Sequence, residues 1–397
     1  MHEFTDYVLK KLKQADHIES GVKDFFTSRR NGIVFGAGFQ SGITLTLCMF
    51  FRKQIQCLCV TREGRRLMPY FAEIPMHRID SLPREVDKQS DVIVAVGEKY
   101  RAEILSELSA NNFPNIYMVS DWRKVNTDLR RLWCECCFDF YGFERCTNTS
   151  GSEYMQYNFN GEEYKFYFPV NDALYFDNVA GEFSEIVLPS LIGNNDYLFE
   201  GPYEFGNVTI EKEDIVFDLG ANVGLFSGVA AVKGAHVYAF EPTPITLEYL
   251  KKSISFYDNV TICPYAVSDT TGNAEFYVNA DFSESTLLGS NTLLERDKNS
   301  LGCHFEVIRV NTITVDEFVE QHEIPRVDFI KADIEGAERD MLKGARRTLA
   351  KLAPKLALCT YHLPDDPEVM EKLILEANPN YIVEHSYSKL YAYCPKP

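Results

Sequence analysis

Ile215-Val216-Phe217-Asp218-Leu219-Gly220-Ala221-Asn222-Val223-Gly224-Leu225-Phe226-Ser227 is the stretch whose reading decides the fold. A short apolar run interrupted only by a carboxylate reads as a strand buried on both faces, the habit of parallel sheets covered by helices. It turns through two glycines and opens a helix. Gly220 and Gly224 allow a tight turn and a close approach of backbone to a ligand. Glycines alone would suit any dinucleotide. Asp218 sharpens the reading, because a carboxylate there repels a pyrophosphate but suits the ammonium end of an amino-acid-like ligand.

Working outward, the next strand (236–240) ends in Glu241, 23 residues after Asp218, the spacing of an acid that accepts from ribose hydroxyls. Pro242 ends that strand and shapes its turn. A ligand with a ribose and a cationic amino-acid tail is S-adenosylmethionine, so Asp218, Gly220, Asn222, Gly224, Glu241 and Pro242 are its expected contacts. A third strand end reads Tyr265-Ala266-Val267-Ser268-Asp269, where Ala266 exposes backbone to an adenine edge and Val267 packs on its face. The fourth, Val327-Asp328-Phe329-Ile330-Lys331-Ala332-Asp333-Ile334-Glu335-Gly336-Ala337-Glu338, brings more carboxylates to the same crevice. Glu338 suits a helix N-terminus. His362 follows the fifth strand and titrates near pH ~6.5 when unperturbed.

Strands and helices alternate in two stretches, about 32–120 and 214–397, which marks an α/β fold. We expect two Rossmann-like domains. The second is a class I methyltransferase-type seven-stranded sheet with helices on both faces, and a helical and β-hairpin connector joins the two. The expected boundaries are 1–125, 126–205 and 206–397. Asn160-Gly161 between alternating runs predicts the hairpin turn, and 121–143 reads as helix. Gly36-Ala37-Gly38-Phe39-Gln40-Ser41-Gly42 resembles a nucleotide loop, but its third glycine is displaced and no acid follows the next strand. Arg62, Arg65 and Arg66 could meet a phosphate there; a degenerate docking module is the favoured reading.

The chain has 397 residues, with 40 Lys and Arg against 58 Asp and Glu, a net charge of −18. That balance argues against a general nucleic-acid partner, and pairs such as Arg29-Arg30 read as solvated faces. No apolar run approaches the ~20 residues of a membrane span. The first residues lack a signal peptide's apolar core, and 11 cysteines in such a chain read as reduced cytoplasmic thiols. Cys134, Cys136, Cys137 and Cys146 lack the paired spacing of structural zinc.

These pieces together resemble the FkbM-type S-adenosylmethionine-dependent methyltransferases. The likeness rests on Val216 to Gly224, Phe240-Glu241-Pro242, Ala266-Val267-Ser268-Asp269 and above all Lys331-Ala332-Asp333-Ile334-Glu335-Gly336-Ala337-Glu338, with His362 in support. It covers about the last half of the chain. Membership implies O-methylation, typically of sugar or polyketide hydroxyls. This chain departs at Ser283-Glu284-Ser285-Thr286-Leu287, where relatives often carry Ser-Ser-Leu. His362 or Asp333 is then the expected base and Glu335 the residue that positions substrate, with magnesium on Asp333 as the competing activation and the metal ligands otherwise unassigned. Residues 280–303 are expected to close over the acceptor. The partner is a sugar or small-molecule hydroxyl, and a homo-oligomer is possible. Two rivals stand beside this reading: a sugar-nucleotide oxidoreductase or epimerase using the first domain, and a noncatalytic S-adenosylmethionine-binding module.

Overall fold

The computed structural model describes residues 2–36, 39–61, 74–96, 100–149, 151, 153–167, 179, 182–187, 202–279, 285–287 and 305–395. The chain divides into two compact units, Met1–Gly142 and Phe143–Pro397.

In the first unit, helices α1 (His2–Gln14) and α2 (Ser20–Thr27) precede a sheet of β1 (Gly32–Phe35), β2 (Ile55–Val60), β3 (Met76–Arg78), β4 (Asp91–Val94) and β5 (Asn115–Met118). All five run parallel, in the order β3-β2-β1-β4-β5. The central strands are short unbroken apolar runs because helices cover both faces. α3 (Phe39–Phe50) follows β1, and α4 (Arg101–Ala110) follows β4. The helix expected in the connector, α5 (Trp122–Tyr141), packs instead on α1 and α3. Its stripe of Leu129, Trp133 and Cys137, spaced one helical turn apart, is fully buried. Phe50 stacks on Trp133 with ring centroids 4.8 Å apart. Cys134 and Cys136 are buried on the same helix, as small apolar side chains.

Gly36 has φ +135, and a Cβ there would meet the Ala95 carbonyl at 2.7 Å. The contact gives this glycine a packing reason that needs no ligand. Ala37, Gly38, Arg62, Arg65 and Arg66 lie outside the described residues.

The second unit opens with the antiparallel strands β6 (Glu144–Thr147), β7 (Glu153–Phe159) and β8 (Glu162–Tyr167). Asn160 and Gly161 join the last two at φ +52 and +86, the doubly positive turn that matches strand twist. The main sheet contains β9 (Ile215–Leu219), β10 (His236–Phe240), β11 (Val260–Cys263), β16 (Phe329–Ala332), β17 (Lys355–Cys359), β18 (Ile382–Ser386) and β19 (Lys389–Tyr393), in the order β11-β10-β9-β16-β17-β19-β18. Six strands run in one direction, while β19 runs antiparallel to both its neighbours, so the sheet is mixed.

A second sheet not foreseen from sequence comprises β12 (Ala266–Val267), β13 (Gly272–Asn279), β14 (Ser285–Leu287) and β15 (Phe305–Ile313). β13 and β15 pair across 280–304, so no short turn announces them. Of the expected lid, only Ser285–Leu287 falls within the described residues. Helices α6 (Leu225–Val232), α7 (Pro244–Ile254), α8 (Val315–Gln321), α9 (Glu338–Gly344), α10 (Arg346–Lys351) and α11 (Asp366–Ala377) complete the unit. α9 and α10 are divided only by Ala345. Among the described residues no helix is long and apolar enough to cross a membrane.

Candidate functional site

The carboxyl ends of β9, β10 and β16 converge on a cleft with about 930 Å³ of empty space, the solvent at its mouth included. Eight of the residues singled out from sequence line it: Gly220, Asn222, Glu241, Pro242, Ala266, Val267, Asp333 and Glu335. Asp218, Gly224 and His362 do not.

Gly220 is demanded by the crossing of two strands. Its φ is +75, and a Cβ would sit 1.9 Å from the Asp333 carbonyl oxygen. Gly224, at φ +88, faces α7 rather than the cavity; a Cβ would meet Leu250 at 2.6 Å. Between them Asn222 adopts φ +46 and ties two acids together. Its backbone N–H donates to Glu241 Oε2 at 3.2 Å, and its side-chain amide donates to Glu182 Oε1. Glu241 also accepts from the Thr243 N–H at 2.8 Å. Burial pushes its pKa up, against the lowering pull of these bonds.

Asp218 corrects the first expectation. It is wholly buried, its Oδ1 lies 3.1 Å from Lys331 Nζ, and its Oδ2 accepts from the Ser227 hydroxyl at 2.6 Å. Lys331 also donates to the Gly220 carbonyl at 2.7 Å. Burial alone would lower the lysine's pKa, but Asp218, Asp333 and Glu182 together raise it. The charge intended for a ligand ammonium is therefore met from inside the protein.

Glu182 is the acid that sequence reasoning missed. It lines the cavity beside the short helical turn Phe183–Val187, a segment with no strand-end or glycine signal to mark it. Its pKa is pushed up to about 8, first by burial; Asp218 and Asp333 add to the rise, while Lys331 and the Asn222 bond oppose it.

Asp333 accepts from two phenols also missed, Tyr203 at 2.9 Å on Oδ2 and Tyr361 at 3.0 Å on Oδ1. Burial would raise its pKa, but Lys331, His362 and Lys389 hold it below the usual carboxylate value. It is ionised, engaged and a weak base. Glu335 differs. Its φ of +54 is costly for a residue with a side chain, and such strain gathers at functional sites. Burial, helped by the nearby Asp333 and Glu338 charges, raises its pKa against the lowering pull of His362, which makes it the stronger base of the two.

His362 is sequestered at 4% exposure. Its Nδ1 lies 3.3 Å from Glu338, and its Nε2 lies 3.3 Å from Glu335 and 3.9 Å from Asp333. Burial would lower its pKa, but Glu338 and Glu335 drive it well above the ordinary value. A ring that holds its proton this firmly is a poor proton acceptor, which weighs against the expectation of His362 as base. Asp333, Glu335 and His362 each offer a ligand atom within 4.8 Å of the others. The set fits magnesium poorly: one of its three donors is a ring nitrogen, magnesium prefers oxygen ligands, and both Asp333 oxygens already accept from phenols.

Residues 218–390 match the family model of the methyltransferase FkbM domain. The hexuronic acid methyltransferase AglP of Haloferax volcanii is 29% identical over 169 residues, 42% of this chain and 64% of that protein. The 2-O-methyltransferase NoeI of Sinorhizobium fredii is 28% identical over 153 residues, 36% of this chain and 62% of that protein. The chain thus spans less than two thirds of the length of these curated relatives. A solved methyltransferase FkbM from Methylobacillus flagellatus KT aligns over 98% of this chain and 99% of its own at 16% identity, with a TM-score of 0.39, too slight a likeness to argue from.

Proposed function

With residues 218–390 forming a methyltransferase FkbM domain, we propose that this chain is an S-adenosylmethionine-dependent O-methyltransferase whose acceptor is a carbohydrate hydroxyl. The observation that carries the reading is Asn222 holding Glu241 and Glu182 at the glycine loop, with Glu335 across the same cavity. The sugar acceptor is supported by the printed names of AglP and NoeI. Both parallel arrays are read as Rossmann-like, and the setting as cytoplasmic.

S-adenosylmethionine, when bound, supplies an electrophilic methyl group. Glu241 would accept from its ribose hydroxyls, with Pro242, Ala266 and Val267 against the base. Glu182, which lines the cavity, would take the part first given to Asp218 and meet the ammonium. Glu335 accepts the acceptor's proton, and the His362 imidazolium holds Glu335 in position. Asp333, fixed by Tyr203 and Tyr361, shapes the acceptor side. Alignment of the reactants and exclusion of water supply most of the remaining acceleration.

Calorimetry with S-adenosylhomocysteine tests the binding half. A hydrogen bond to a charged group contributes about 1.5–3 kcal/mol, so Glu241→Ala should weaken binding roughly ten- to a hundredfold. With its pKa pushed up to about 8, Glu182 must give up a proton to meet an ammonium as a carboxylate. Binding at pH 7 should therefore release a proton, visible as heats that vary with buffer ionisation enthalpy, and Glu182→Gln should abolish the release. Identical proton counts for both proteins would remove Glu182 from the site.

The Asp333, Glu335 and His362 trio prompts a metal-dependent alternative. Methyl transfer is expected to persist in excess EDTA. Loss of activity that magnesium restores would favour the alternative.

A further inference from the structure

We propose that the first unit carries a second binding site, a basic cavity at the amino-terminal edge of its parallel sheet that takes a small anion bearing a diphosphate group. The cavity, of about 440 Å³ and open to solvent at its mouth, is walled by α1, the turn from α2 into β1 and the turn from α3 into β2. Six cationic side chains line it against one acid, Asp6. In a chain of net charge −18, that concentration of positive charge runs against the field of the whole molecule.

Two of the six build the floor. Asp91, wholly buried, sits 2.8 Å from Lys53 Nζ and 2.7 Å from Arg30 Nε. Lys53 also donates to the Ser28 carbonyl at 3.1 Å, which answers the negative end of α2. Helix ends and Asp91 thus account for these cations. They do not account for Lys10, Lys13 and Arg29, which among the described residues have no acidic partner. Three unpaired cations from two walls face one concavity, a repulsive arrangement that a bound anion relieves.

The ligand class follows from charge, size and shape. A diphosphate ester carries two or three negative charges, which matches three cations, and a guanidinium fork suits phosphoryl oxygens. At about 440 Å³ the cavity is far larger than one phosphate and falls in the lower half of the range of small-molecule pockets, about 300–1,000 Å³. Phe26 and Phe51, with ring centroids 5.1 Å apart, supply an apolar wall for an organic substituent. The site lies where β1, β2 and β4 begin, at the opposite edge of the sheet from Gly36. It is therefore distinct from the nucleotide-like loop. Arg29-Arg30, a solvated pair by sequence, becomes part of a site only because α1 folds over it.

The full chain should be titrated calorimetrically with inorganic pyrophosphate, adenosine diphosphate and uridine diphosphate at low salt. Saturable binding is expected, weakened about tenfold or more by Lys13→Glu combined with Arg29→Glu, and weakened again as salt rises. Lys372→Glu, a change of an exposed lysine of the second unit, should leave it unchanged. If the double reversal unfolds the protein, Lys10→Gln with Arg29→Gln gives the same test at smaller charge change. Equal binding of all three ligands upholds a site that reads the diphosphate alone, and tighter nucleotides uphold one that also uses the phenylalanine wall. Failure of all three to saturate, indifference to the charge changes, or binding of RNA without any diphosphate would overturn the proposal.

Discussion

Glu335→Gln is expected to slow methyl transfer about a hundred- to ten-thousandfold, the usual worth of a positioned general base, while affinity for S-adenosylhomocysteine changes by no more than a few-fold. Gln keeps the shape and loses the proton-accepting oxygen. Burial raises the pKa of Glu335, and only its carboxylate form can accept a proton. Turnover of the parent protein should therefore climb as pH rises through that pKa, and the variant should lack this limb. The opposite limb belongs to His362. Its folded pKa lies well above the ordinary value, so its stabilising charge is fully present below about pH 6.5 and fades as pH climbs through the folded value. A variant within tenfold of parental turnover, set against an inactive Asp333→Asn, would transfer the base to Asp333.

Lys331→Met should be the most destabilising single change at the site. It removes the cation 3.1 Å from Asp218, a carboxylate with no solvent exposure, and leaves the Ser227 hydroxyl as its remaining close polar contact. Breaking a buried pair by deleting one partner costs about 3–5 kcal/mol. At roughly 2–4 °C per kcal/mol for a unit of this size, the melting transition of the second unit should fall by roughly 6 °C or more. Adding Asp218→Asn should restore much of the loss, because no unpaired charge then remains. These melts need no ligand. An unchanged transition in Lys331→Met would mean the pair is not structural, and Asp218 would again be available to a cofactor.

The comparison between sequence and structure turns on range. Gly220 to Gly224, Glu241 and the Asn160-Gly161 hairpin were legible because a few consecutive residues carry both the chemical type and the backbone demand. Glu182, Tyr203 and Tyr361 were not, since each reaches the cavity from a segment whose own pattern is ordinary. The sheet built on β13 and β15 escaped notice because its strands pair across a long interval. The helix α5 was legible, but its partners, α1 and α3, could not be read from it.

By itself the sequence determined the alternation of strands and helices, the turn at which backbone nearly touches backbone, and the kinds of group that end each strand. All of these are properties of neighbours along the chain. Only the tertiary structure decided which charges neutralise one another. Lys331 closes on Asp218 from an adjacent strand, Glu335 and Glu338 flank His362, and Glu182 is left to face the cavity. Proton affinity depends on burial and on charges a few ångströms away, and those distances exist only once the chain has folded.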